Sequence, residues 1–217
     1  MSIIKNDINE CVKILEDRLL DVEIKFISSH TDPIEHPASY AIDVQSYAVL
    51  CHAAFEEYAE SLCMRMLDEI ENQWVNNRNY SVATLCLLHF DLESVNHSTG
   101  RWGKNENFYD FMKNEIHNRK SKLSTYALQN NHGVSLKYLH SLFLPVGLDM
   151  PRDVNENNSL EQLARLRGFY AHAHTSTRPN AVTIISPQMA VQTVDDVLAY
   201  MNKIANKAIT MSYYHWW

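Results

Sequence analysis

The chain has 217 residues, 46% of them hydrophobic, and its 26 acidic side chains outnumber 19 basic ones for a formal net charge of −7. That much apolar material, free of low-complexity tracts, suffices for a buried core, so one domain over residues 1–217 is expected. An acidic balance of this size excludes a protein that coats nucleic acid through bulk positive charge and leaves only local contacts.

Residues 1–21 mix charged and apolar side chains, and no window approaches the roughly 20 apolar residues of a membrane-spanning helix. The sequence therefore reads as soluble and cytoplasmic, without membrane contact. Ile8, Val12, Leu15, Leu19, Val22 and Phe26 alternate steps of four and three. This spacing predicts a first helix, brought to an end by His30, Pro33 and Pro37. His30 and His36, beside Asp32 and Glu35, read as surface residues of a flexible loop rather than a metal site. A long central helix is expected over Ala41–Glu71, where Tyr47, Leu50, Cys51, Ala54, Phe55, Tyr58, Leu62, Met66 and Ile70 trace one stripe and Glu56, Glu57 and Glu60 take other sides.

A third helix is expected over Val82–Phe90, followed by a polar loop with Asn96, Ser98, Gly100 and Gly103. Helical signals return over Asn107–Gln129 and Ser135–Leu144. The densest basic stretch, Arg101 to Lys122, is diluted by Glu106, Asp110 and Glu115 and reads as a solvated helix face. Pro151–Asn158 reads as a linker, and Ser159 and Gln162 as a capping box that starts the next helix near Leu160. Thr177, Pro179 and Asn180 break that helix. Ala181–Ile185 reads as an extended connector, and Ser186 and Pro187 as the N-cap and first residue of a last helix running through Ile209. The aromatic end, Met211–Trp217, is expected to pack back on the domain. Cys11, Cys51, Cys63 and Cys86 lie in apolar patterns without close pairing, which suits reduced core thiols, and no metal or other cofactor is expected. The fold class is all-α.

Chemistry is suggested in one place. Arg167 is followed five and seven residues later by His172 and His174. Arginine offers a planar fork of donors suited to phosphate, and histidine exchanges a proton near neutral pH. Leu160, Leu163 and Ala164 precede Arg167 on its own side, so an apolar stripe leads into a guanidinium. Such a cation either pairs with a carboxylate, with Glu56, Glu57 and Glu60 as candidates, or lines a cleft.

Arg167, Ala171 and His172 resemble the Arg-x4–6-His motif of HEPN domains, and Arg165 to His172 and Arg167 to His174 also fit that spacing. The segment Leu50–Tyr58, with Glu56-Glu57-Tyr58 after an apolar run, and the segment Leu160–His172 resemble the RiboL-PSP-HEPN branch. The resemblance implies an all-α, dimer-forming bundle. It also implies a metal-independent endoribonuclease that leaves 2′,3′-cyclic phosphate, with Arg167 and His172 as catalytic residues and His174, Glu57 and Arg165 in support; Tyr170, beside the motif, is expected to pack in the core, with a contact to phosphate or base as its alternative role. Implied partners are a second copy of the chain, an RNA substrate, and an antitoxin or regulatory protein, with no DNA, in a toxin or antiviral defence setting. Active members commonly carry a polar residue after the arginine, where this chain has Gly168. That departure, with the acidic balance, favours the alternative of a non-catalytic dimer binding a nucleotide, RNA or partner protein.

Overall fold

A computed structural model describes residues 3–32, 34–89, 107–130, 133–171 and 185–211. Seven α-helices account for most of them: α1 (Ile3–Phe26), α2 (Pro37–Asn77), α3 (Val82–His89), α4 (Phe108–Gln129), α5 (Leu136–Phe143), α6 (Val154–Ala171) and α7 (Pro187–Met211). No strand occurs among the described residues, as the all-α reading requires. No described helix is long and apolar enough to cross a membrane. The expected loop at Asn96–Gly103, most of the connector before Ile185 and the aromatic end beyond Met211 lie outside the described residues.

Helix α2 is the axis, packing against α1, α4, α5, α6 and α7. A helix enclosed in this way must be apolar on most sides. Accordingly Val44, Tyr47, Cys51, Phe55, Leu62, Cys63, Leu67 and Ile70 are all buried. Each large side chain of this set contributes about 1.5–3 kcal/mol by leaving water. Cys63 Sγ donates to the Leu142 carbonyl at 3.5 Å, tying α2 to α5. The four cysteines are unpaired thiols, and burial pushes Cys51 and Cys63 up to about 12, so neither acts as a nucleophile. Lys120 is not the solvated side chain expected of the basic stretch: it reaches Asp68 at 2.8 Å and Glu71 at 2.5 Å and fastens α4 to α2.

Two boundaries differ from the sequence reading. Pro37 begins α2 rather than closing α1, because proline suits the first helical position and the His36 ring accepts from the Ala38 N–H at 3.2 Å. Helix α6 begins at Val154, so the expected linker is largely helical. Asp153 is its cap: its Oδ1 accepts from the N–H groups of Asn155 at 3.0 Å and Glu156 at 3.2 Å. Ser159, already inside the helix, donates to Asp196 of α7 at 2.7 Å instead. By contrast, Ser186 caps α7 as expected, accepting from the Met189 N–H at 3.2 Å.

The His30 reading is also corrected. Its ring is nearly enclosed, with Nε2 2.9 Å from Asp43 and Nδ1 3.0 Å from Glu35, so it pins the turn after α1 to the first turns of α2. These bonds, first to Asp43 and then to Glu35, raise its pKa above the ordinary value. A raised histidine stabilises the fold most fully below its unfolded value of about 6.5, and the effect fades as pH climbs through the folded value. The gap in thermal midpoint between the wild type and His30→Gln should therefore be largest near pH 6 and narrow towards alkaline pH, as measured by circular dichroism melts. A gap that widens with pH contradicts the assignment.

Candidate functional site

Helix α6 is positioned at both ends. Lys203 of α7 bonds Glu156 at 2.6 Å and lies 3.6 Å from Asp153, which holds the N-terminal turn to α7. Glu161 accepts from the Leu136 N–H at 2.8 Å and thereby caps α5. Leu160 and Leu163 are buried and anchor the helix in the core. Two further turns bring Arg167 to a half-buried position facing α2.

The α2 residue that its charge acts on is His52, only 2% exposed. Burial first, and the Arg167 charge second, lower its pKa to about 4, so the imidazole is neutral at physiological pH. Its Nδ1 lies 3.8 Å from Glu56. A Cβ placed on Gly133 would sit 3.5 Å from His52 Nε2 and 3.6 Å from the Tyr138 ring. With φ of +150°, Gly133 occupies a conformation open to glycine and little else, which lets the chain before α5 close over the histidine. His52 was missed in the sequence, although Ala48, His52, Ala59 and Cys63 fall on one helical edge. A histidine on the apolar edge of a helix facing the motif helix was the available signal.

Among the described residues no carboxylate forms an ion pair with Arg167. The buried salt bridge weighed from sequence is thus not formed there. Glu57, expected to pair with or orient Arg167, turns away and pairs with Arg18 of α1. Glu56 is the member of that acidic group directed towards His52. Arg165 is exposed on α6. Tyr170 is half-buried against the core, and burial raises its hydroxyl above the ordinary range, which suits packing more than phosphate binding. His172 and His174 lie outside the described residues, so the imidazole half of the motif has no described geometry. Among the described residues nothing lies within 4 Å of where a Cβ on Gly168 would be, so a close approach by another helix does not account for the glycine. Its helical position costs about 0.5–1 kcal/mol relative to alanine. Among the described residues no three His, Cys, Asp or Glu side chains converge as a metal site would need.

A half-buried guanidinium with no carboxylate partner among the described residues, near a histidine that adds no second positive charge, is equipped to take an anion. Neither the curated proteins nor the solved structures contain a match to this sequence. The family model described as RiboL-PSP-HEPN matches residues 6–210, nearly the whole sequence, and the chain belongs to that family.

Proposed function

We propose that the chain is a metal-independent endoribonuclease of HEPN type, cleaving RNA in a site shared by two subunits. The observation that carries this reading is Arg167, a half-buried cation with no carboxylate partner among the described residues. Such a group is costly to keep dry unless an anion completes it. A scissile phosphate is the anion its fork fits.

In this reading the ribose 2′-OH attacks phosphorus, a base removes its proton, and the 5′-oxygen leaves with a proton from an acid. His172 serves as acid or base, with His174 as the alternative imidazole. Arg167 from each subunit holds the phosphate and stabilises charge gathering on the phosphorane oxygens. The products end in 2′,3′-cyclic phosphate and 5′-hydroxyl. Pairing of two copies concentrates cations at one spot on an acidic protein.

Support for the pairing comes from a partly exposed edge of α2 that is apolar apart from Ser46. Ile42, Ser46, Val49 and Ala53 step by four, three and four, with Ile42 75% exposed and Leu50 beside them also exposed. By helical geometry this edge lies between the sides that carry His52 and Glu57. A role as a toxin or defence effector, with an antitoxin or regulator as partner, rests on family resemblance alone.

Incubation of the purified protein with single-stranded RNA in excess EDTA tests the chemistry. The expected products carry cyclic phosphate ends and disappear with Arg167→Ala and with His172→Ala. Cleavage equal in all three proteins removes these residues from the mechanism. RNA binding without cleavage, sensitive to Arg167→Ala but indifferent to His172→Ala, replaces the nuclease with the non-catalytic dimer.

A further inference from the structure

Where α2 ends, three residues form a stack unrelated to Arg167. Trp74 lies against Tyr109 with ring centroids 5.8 Å apart and planes at 19°. The Arg78 guanidinium sits over the Tyr109 ring, 4.8 Å from its centroid. The rings are fixed by their own polar groups: Trp74 Nε1 donates to the Tyr109 carbonyl at 3.3 Å, and the Tyr109 hydroxyl donates to the Val75 carbonyl at 2.8 Å. Phe108 meets Trp74 edge-on at 6.2 Å yet is 59% exposed, and Tyr80 is 48% exposed.

Arg78 is conspicuous on two further counts. It is the one non-glycine residue among those described with positive φ, at 54°, where its N–H closes the C-terminus of α2. Glycine or asparagine ordinarily occupies that conformation, and an arginine there carries strain. Among the described residues no carboxylate pairs with it. The exposed amides Asn76, Asn77 and Asn79 surround it in sequence.

We propose that Arg78, held over Tyr109, and the exposed Phe108 ring form a stacking site for an unpaired base of single-stranded RNA, with the Arg78 charge serving its phosphate or its π-face. The proposal deepens the ribonuclease reading and rests on it for the identity of the strand. Flat rings, one uncompensated guanidinium and side-chain amides are the equipment that binds single strands without reading sequence. A duplex keeps its bases stacked inside and offers these rings nothing. The site lies about 26 residues along α2 from His52, roughly 40 Å at 1.5 Å per residue, so it acts as a remote hold on the strand rather than as part of the cleavage site.

Binding of a fluorescent single strand of about 16 nucleotides, a length within the range such sites cover, tests this by anisotropy in EDTA. The strand carries 2′-O-methyl riboses so that it is not cut. Arg78→Gly removes the side chain while suiting the positive φ, and Phe108→Ala removes the exposed ring. Each is expected to weaken single-strand binding by about tenfold, with the thermal midpoint of Arg78→Gly not lowered and duplex binding unaffected. On cleavable RNA, KM rises and kcat holds. Wild-type affinity in both variants overturns the site. So does an acidic peptide that binds more tightly than the strand and loses affinity in both variants, which makes the occupant a protein. A wild type that binds in the expected pattern yet cuts no RNA overturns the nuclease reading and leaves the stacking site standing.

Discussion

Arg167→Ala is expected to lower the rate of RNA cleavage by at least about 10²–10³-fold, the usual loss for one positioned donor to transition-state charge, because the substitution removes the guanidinium of both subunits. At 1.36 kcal/mol per decade this corresponds to about 3–4 kcal/mol of transition-state stabilisation. Arg167→Lys should restore part of the rate, because the charge returns without the planar fork that grips two phosphate oxygens. The fold should not suffer. The guanidinium is half-buried with no carboxylate partner among the described residues, so its removal strands no opposite charge. A second readout needs no RNA: with the Arg167 charge gone, His52 should titrate above its value of about 4 while burial still holds it below the ordinary histidine range. Histidine Cε1 proton shifts followed by NMR record this directly. Unchanged cleavage, or an unmoved His52, detaches Arg167 from the site.

Ala53→Glu is expected to abolish cleavage by separating the subunits. Ala53 is exposed in the middle of α2, so a glutamate there costs the isolated fold little. In the proposed dimer, with this edge of α2 at the two-fold axis, the same substitution would confront its own copy, next to Glu56 and Glu57, and like charges desolvated in an interface repel by several kcal/mol. Light scattering should report a monomer whose helicity and melting temperature match the wild type, and turnover should fall at least as far as in Arg167→Ala. A monomeric variant that cleaves at the wild-type rate contradicts a shared site.

The helical content of the chain was legible because each core helix repeats its apolar residues at steps of three and four, and α2 in particular shows Tyr47, Cys51, Phe55, Tyr58 and Leu62 in unbroken sequence. Helix starts were harder. Pro33 and Pro37 look alike as breakers, and only a cap from the His36 ring makes Pro37 a beginning. Asp153 and Ser159 compete as caps for one helix, and the earlier one prevails because Glu156 and Ser159 find partners on α7, in Lys203 and Asp196. The motif arginine was readable from its spacing to the histidines. Its surroundings were not: which of Glu56, Glu57 and Glu60 turns towards α6 depends on the rotation of α2, and that rotation is set by the packing of α1, where Arg18 claims Glu57. His52 was hidden for the same reason. A histidine on an apolar edge has no meaning until the neighbouring helix is known to carry a cation with no carboxylate partner among the described residues.

Gly168 gives the most direct access to the central claim, that two copies of α6 bring their Arg167 side chains into one cleft. It neighbours Arg167 and a side chain added there meets open space. Gly168→Cys, in a background where the partly exposed Cys11 and Cys86 are replaced by serine and only the buried Cys51 and Cys63 remain, offers one accessible thiol per subunit for a short bismaleimide. The account predicts rapid linkage of two subunits through residue 168, slowed when single-stranded RNA fills the cleft. Thiols that each react with a single maleimide yet never join two chains would contradict it.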